Sequence, residues 1–332
     1  MILLLSNHSG NANEIYITQV GDLTDMDIIQ DGENNKVRSL NTTSGRASIR
    51  GNNKTFTLSQ TGDNNRAGFW THGGNQQMII LQNGDSNIAA LDNHGNNNNM
   101  TLTQDGDNNQ AHIEIGNGGD NDNAIVAVQD GDSHYTYTEV QNGDYNQFDI
   151  YQGGGGTGSW SRNLVNGNSN NIKVHQGKRD NGQVDTNGGG GHEAYVTIAG
   201  NNNNYESFQS NQGNGEHHLA NVITGNDNDV SHKQEKNTGK QGFIEINGDN
   251  NEVSLYQKGQ GTQWADILLE GDGHIVESVQ RDSGTHNLAL DLTNGGGAYD
   301  LDTQQENATN QSYSLTGICT NANGCAVSIT QN

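Results

Sequence analysis

The chain is 332 residues long, carries a formal net charge of −24, and contains 46 glycines, no proline and only 29% hydrophobic residues. Such an acidic chain offers no basic face, which excludes nucleic acid and anionic membrane as primary partners. So little apolar material cannot close an ordinary globular core against its chain entropy, so order has to come from a repeated unit whose neighbours share one continuous core.

Read in chain order, Met1-Ile2-Leu3-Leu4-Leu5 is too short for a secretion signal and lacks a basic start, and no later stretch approaches transmembrane length. Ile2 and Leu4 are read as part of an opening strand. From Ile15 onward, apolar residues alternate up to a glutamine: Ile15, Ile17, Gln19. The pattern recurs at Phe56, Leu58, Gln60, at Met78, Ile80, Gln82 and at Met100, Leu102, Gln104, and again before Gln129, Gln176 and Gln257. Strict alternation predicts strands with one buried face. Gly62, Gly84 and Gly106 follow the glutamines, each with an aspartate behind it, and supply the positive φ that a tight reversal needs. A second alternating arm comes next: Asn65, Ala67, Phe69, then Asn87, Ala89, Leu91, then Asn109, Ala111, Ile113. Five columns superimpose at an offset of 22 residues, which predicts an all-β solenoid whose coil of about 22 residues reads strand, turn, strand, turn. No composition shift marks a second domain. The reading is one array over 1–332, regular over 13–152 and irregular over 153–332, where glycine runs such as Gly153 to Gly156 and Gly188 to Gly191 interrupt it.

Stacking places like residues over like. Gln19, Gln60, Gln82, Gln104, Gln129, Gln176 and Gln257 are expected to form a buried ladder, each amide donating to one neighbour and accepting from the other, with Asn65, Asn87 and Asn109 as a second column. Cys319 and Cys325 enclose five residues near the end, and are expected to close a small disulfide loop outside the cytoplasm. Val327, Ile329 and Gln331 repeat the strand pattern once more. With no proline and no helical cap, both ends read as open strand edges that recruit further copies head to tail.

Gln60-Thr61-Gly62-Asp63-Asn64-Asn65-Arg66-Ala67 and Gln104-Asp105-Gly106-Asp107-Asn108-Asn109-Gln110-Ala111 spell Gln-x-Gly-x-x-Asn-x-Ala, and Gln82 to Ala89 spells it a third time. This motif, preceded by an alternating apolar strand, resembles the curlin repeat of curli, the bacterial extracellular functional amyloid of biofilms. The chain has more repeats, and less regular ones, than familiar curlins. The resemblance implies a secreted β-solenoid subunit that polymerises with itself without a cofactor, on the cell surface or beyond it, with secretion and nucleation factors as further partners.

No catalytic constellation is present: there is no His-Glu-x-x-His, no Gly-x-Ser-x-Gly and no Walker lysine. The histidines show no ligand spacing, so no metal is expected. The aspartates behind turn glycines (Asp63, Asp85, Asp107, Asp132, Asp144, Asp249, Asp272) read first as solvated turn residues, then as like-charge gatekeepers against premature stacking, and least as a calcium site, which needs a tandem glycine-aspartate repeat this chain lacks. The competing function is a soluble β-solenoid binding module, an ice- or glycan-binding adhesin. An ice binder wants a flat threonine row, but Ile79 stands between Thr57 and Thr101. A glycan binder wants exposed aromatics in phase, and none is legible in the spacing.

Overall fold

The computed structural model describes residues 12–20, 24–38, 47–116, 120–154, 158–177, 191–210, 215–236, 238–291, 298–317 and 325–331. Among them every paired strand is parallel and no helix occurs. The fold is a β-solenoid in which each coil gives one strand to each of two sheets. It divides into two compact units, Met1–Gly153 with Arg162–Asn168, and Gly154–Ser161 with Ser169–Asn332.

In the first unit, alternation decides which side chains go in. Strand Lys54–Thr61 buries Phe56, Leu58 and Gln60 and leaves Thr55 and Thr61 exposed. Its partner Gln76–Asn83 pairs with it in register, so Phe56 lies beside Met78 and Gln60 beside Gln82. The same columns continue through Met100, Ile125 and Phe148. Across the coil, Ala67, Ala89 and Ala111 stack in the opposite sheet, and the Phe56 and Phe69 rings meet at 4.1 Å between the sheets. Each fully buried Leu, Ile or Met contributes about 1.5–3 kcal/mol, so two or three per arm suffice when every coil covers the last.

The turns use the positive-φ residues that their sequence supplies. Gly62, Gly84 and Gly106 lie at φ 98°, 112° and 118°, and Asn64, Ser86 and Asn108, two residues on, at 61°, 62° and 59°. Asparagine and serine tolerate this region because a short polar side chain can bond locally.

The second unit keeps the register with a more polar interior. Ile172, Tyr205, Val230, Val253, Val276, Leu301 and Val327 form one column. The buried Asn221 donates from Nδ2 to the Tyr205 hydroxyl at 2.6 Å, and His232 fills the space beside Gly242, where an added Cβ would lie 2.0 Å from its ring. The coil length departs from the expected 22. That spacing holds from Gln60 to Gln82 to Gln104, but neighbours are 30 residues apart at Gln30–Gln60 and 33 at Gln176–Gln209. The glutamine register survives because the added residues fall between strands and leave the strand pairing unchanged.

Candidate functional site

Within each unit the glutamines form a continuous amide ladder. In the first unit Gln30 Nε2 donates to Gln60 Oε1 at 2.7 Å, Gln60 to Gln82 at 2.8 Å, Gln82 to Gln104 at 2.8 Å, Gln104 to Gln129 at 2.8 Å and Gln129 to Gln152 at 2.9 Å. In the second unit the ladder runs Gln176, Gln209, Gln234, Gln257, Gln280, Gln305, Gln331, with steps of 2.8–3.1 Å. The second amide proton reaches across the coil to a backbone carbonyl, as from Gln82 to Arg66 and from Gln104 to Ile88. Every ladder runs one way, Nε2 toward the next coil. Gln19 is not on this column: it lies on the strand Ile17–Val20, opposite Ile49 in the other sheet. Among the described residues Gln30 is the first of the column instead, because its strand is the one in register with Lys54–Thr61.

Asparagines hold the corners. Asn65 Oδ1 accepts the Asn87 N–H at 3.0 Å while its Nδ2 donates to the Gly84 carbonyl at 2.7 Å, and Asn87 repeats both bonds toward Asn109 and Gly106. One side chain thus satisfies a donor and an acceptor of the following coil where the turn interrupts the strand ladder. The turn aspartates do a related job that the sequence reading missed. Asp85 Oδ1 accepts the Asp63 N–H at 2.7 Å, Asp107 that of Asp85 at 2.7 Å and Asp132 that of Asp107 at 2.8 Å. Their fixed phase was the available signal.

In the second unit Asn170, Asn203, Asn228 and Asn251 keep one corner of the coil, with His274 next in their column, while the other corner passes to histidine and lysine. His217 N–H donates to His192 Nδ1 at 3.2 Å, Lys240 N–H to His217 Nδ1 at 3.3 Å, and Tyr299 N–H to His274 Nδ1 at 2.9 Å. An imidazole Nδ1 accepts here as the asparagine oxygen does elsewhere, which requires the neutral ring. Lys240 is fully buried, and its Nζ shares its three protons among four acceptors at 3.0–3.1 Å, Thr238 O and Oγ1 and the Gly259 and Gly261 carbonyls. Burial brings its pKa down to about 8. Positions 217, 240, 263 and 286 recur every 23 residues, a phase hidden by the mixture of His, Lys and Gln that fills it.

These histidines make the second unit sensitive to acid. Burial pulls His217 well below 6.5, sets His232 at about 4 and lowers His274. The unfolded chain takes up protons below pH 6.5 while the folded rings resist, so stability falls from about pH 6.5 and levels off near the folded value of about 4. Charging also turns Nδ1 from acceptor to donor against the N–H it serves. In the first unit burial raises Asp92 and Glu114 but lowers His72 and His134, so acid acts on those coils in opposing directions and its net effect is smaller. Amide hydrogen exchange, corrected for intrinsic pH dependence, should be faster at pH 5 than at pH 7 over 217–234 and change less over 89–115. Equal responses in the two segments would contradict this account.

Among the described residues the strand Cys325–Gln331 pairs on one side only, with Tyr299–Gln305. Val327, Ile329 and Gln331 point inward yet stay half-exposed, whereas Leu301, Thr303 and Gln305 one coil earlier are buried. Cys325 N–H and Gln331 C=O bond back to the preceding coil at Ala298 and Glu306, so in a parallel ladder Ala326, Ser328 and Thr330 direct their backbone groups to the open side. Cys325 is disulfide-bonded. Cys319, Ile2 and Leu4 lie outside the described residues. Among the described residues no group of three or more His, Cys, Asp or Glu could hold a metal ion, and no helix is long and apolar enough to cross a membrane. In comparison with known proteins, no family model and no curated protein matches the chain.

Proposed function

We propose that the chain is a non-enzymatic structural subunit of an extracellular, curli-like fibre, serving biofilm matrix or adhesion and growing by head-to-tail stacking of coils. The observation that carries this reading is the one-way, in-register glutamine ladder, because each coil presents to the next the same strand, apolar column and amide that it meets in the coil before, a pattern that further copies can extend. Gln331 already accepts from Gln305 at 2.9 Å. A copy arriving on it has to present an Oε1, as each glutamine of the ladder does to the one before it, and a contact between unlike faces grows as an open filament. The aspartate columns repel at each added rung, which restrains growth at low salt and less so at high salt.

Ser328→Pro with Thr330→Pro tests this. Both prolines remove donors from the open side only, where an edge strand tolerates them. Elongation from wild-type seeds should stop while the circular dichroism of the soluble protein is unchanged. Undiminished elongation by the double variant would remove this edge from the assembly.

A further inference from the structure

The outward face of the sheet opposite the glutamine ladder carries an aromatic ridge in the second unit. Tyr195 pairs with Ala220 and Ala220 with Phe243, so the two rings stand in one outward column with a methyl group between them. Trp264 lies one coil further, in the neighbouring column beside Gln241. Trp160, whose N–H bonds to the His192 carbonyl one coil on, packs against Tyr195 with ring centroids 4.5 Å apart. Tyr195 and Trp264 are 42% and 47% exposed, and Trp160 and Phe243 are half-exposed. The core does not need these rings, since they alternate with the buried Ala194, Val196 and Ile244. Clustered outward apolar surface of this kind marks a binding face. Variable coil lengths hid the ridge from any fixed sequence period.

We propose that this ridge binds an uncharged, extended β-1,4-linked glycan laid along the stack, with aromatic rings against sugar faces. The spacing carries the match: strands rise by roughly 4.8 Å per coil, close to the ~5 Å advance per sugar of such a chain. Tyr195 and Phe243, two coils apart, therefore meet alternate sugars on the same side of the chain, and Trp160 and Trp264 extend the platform at both ends. Aromatic rings with a polar tip suit a ligand that has apolar faces and hydroxyl edges. Charge selects the occupant. Glu193, Glu245 and Asp266 border the ridge, Glu193 being held by His218 at 3.0 Å, and the chain as a whole carries −24. Anionic polymers are repelled, and so is the same face of a second copy. A neutral chain is not.

The test uses the whole soluble protein, with cellohexaose followed by titration calorimetry and microcrystalline cellulose followed by depletion, so its outcome does not depend on fibre growth. Binding is expected in both assays and should not change between low and high salt. Tyr195→Ala and Trp264→Ala should each weaken it by about tenfold or more. Tyr195→Phe and Trp264→Phe should retain most of it, and Ile275→Ala, exposed on the other sheet, should retain all. Absence of binding by the native protein overturns the proposal. So does wild-type affinity in the Tyr195→Ala, Trp264→Ala double variant with unchanged circular dichroism. Variants that alter only lateral association between copies would give the ridge to a second copy and overturn it equally.

Discussion

Gln82→Leu is expected to lower the unfolding free energy by about 3 kcal/mol or more. Leucine fits the space but leaves two groups in a buried interior without partners, since Gln60 Nε2 loses its acceptor and Gln104 Oε1 its donor, and it also removes the amide that crossed the coil to the Arg66 carbonyl. Each unsatisfied buried group costs about 1–3 kcal/mol. Because coils are stabilised chiefly by their neighbours, the loss spreads to the coils above and below. Gln77→Leu on the same strand replaces an exposed glutamine and should move stability by no more than about 0.5 kcal/mol. Urea unfolding followed by circular dichroism separates the two. Equal effects would mean that the ladder is not a stabilising element.

Gly84→Ala should be as damaging, through the backbone. Gly84 sits at φ +112°, and an added Cβ would lie 2.3 Å from the Gly106 carbonyl oxygen of the next coil. That oxygen cannot yield alone, since it accepts from Asn87 Nδ2 at 2.7 Å. Relieving the clash means parting two coils at the corner where asparagine joins them. Strain of this kind costs about 1–3 kcal/mol before any bond is lost, and with the corner opened the total reaches about 3 kcal/mol or more. Asn83→Ala next to it removes only an exposed bond to Asp105 and should be nearly neutral. A glycine variant as stable as the Asn83 variant would contradict the close approach of the coils.

The strands and their inward faces were legible because alternation is a local property: Phe56-x-Leu58-x-Gln60 names its buried face without reference to any partner. The in-register glutamines followed from phase, since residues at one position of a stacked coil must meet. What the sequence could not show is coil length, which turns absorb without altering the strands. A fixed 22-residue period therefore lost the step from Gln176 to Gln209, and with it the outward aromatic ridge. Gln19 was misassigned because Ile15-x-Ile17-x-Gln19 has the right alternation, while pairing partners are settled by tertiary register and put it opposite Ile49. His217 and Lys240 were overlooked as corner residues for a chemical reason. An imidazole nitrogen can replace an asparagine oxygen as acceptor and an ammonium can replace its amide as donor, so function at the corner is kept while residue identity is not.

The central claim is that stacking continues from one copy to the next. Electron micrographs of the intact protein after long incubation at high concentration test it most directly, joined to fibre diffraction from the same sample. The account predicts unbranched filaments one coil in width with a strong reflection at roughly 4.8 Å along the fibre axis. A protein that stays monomeric, with no filaments in the micrographs, would contradict it.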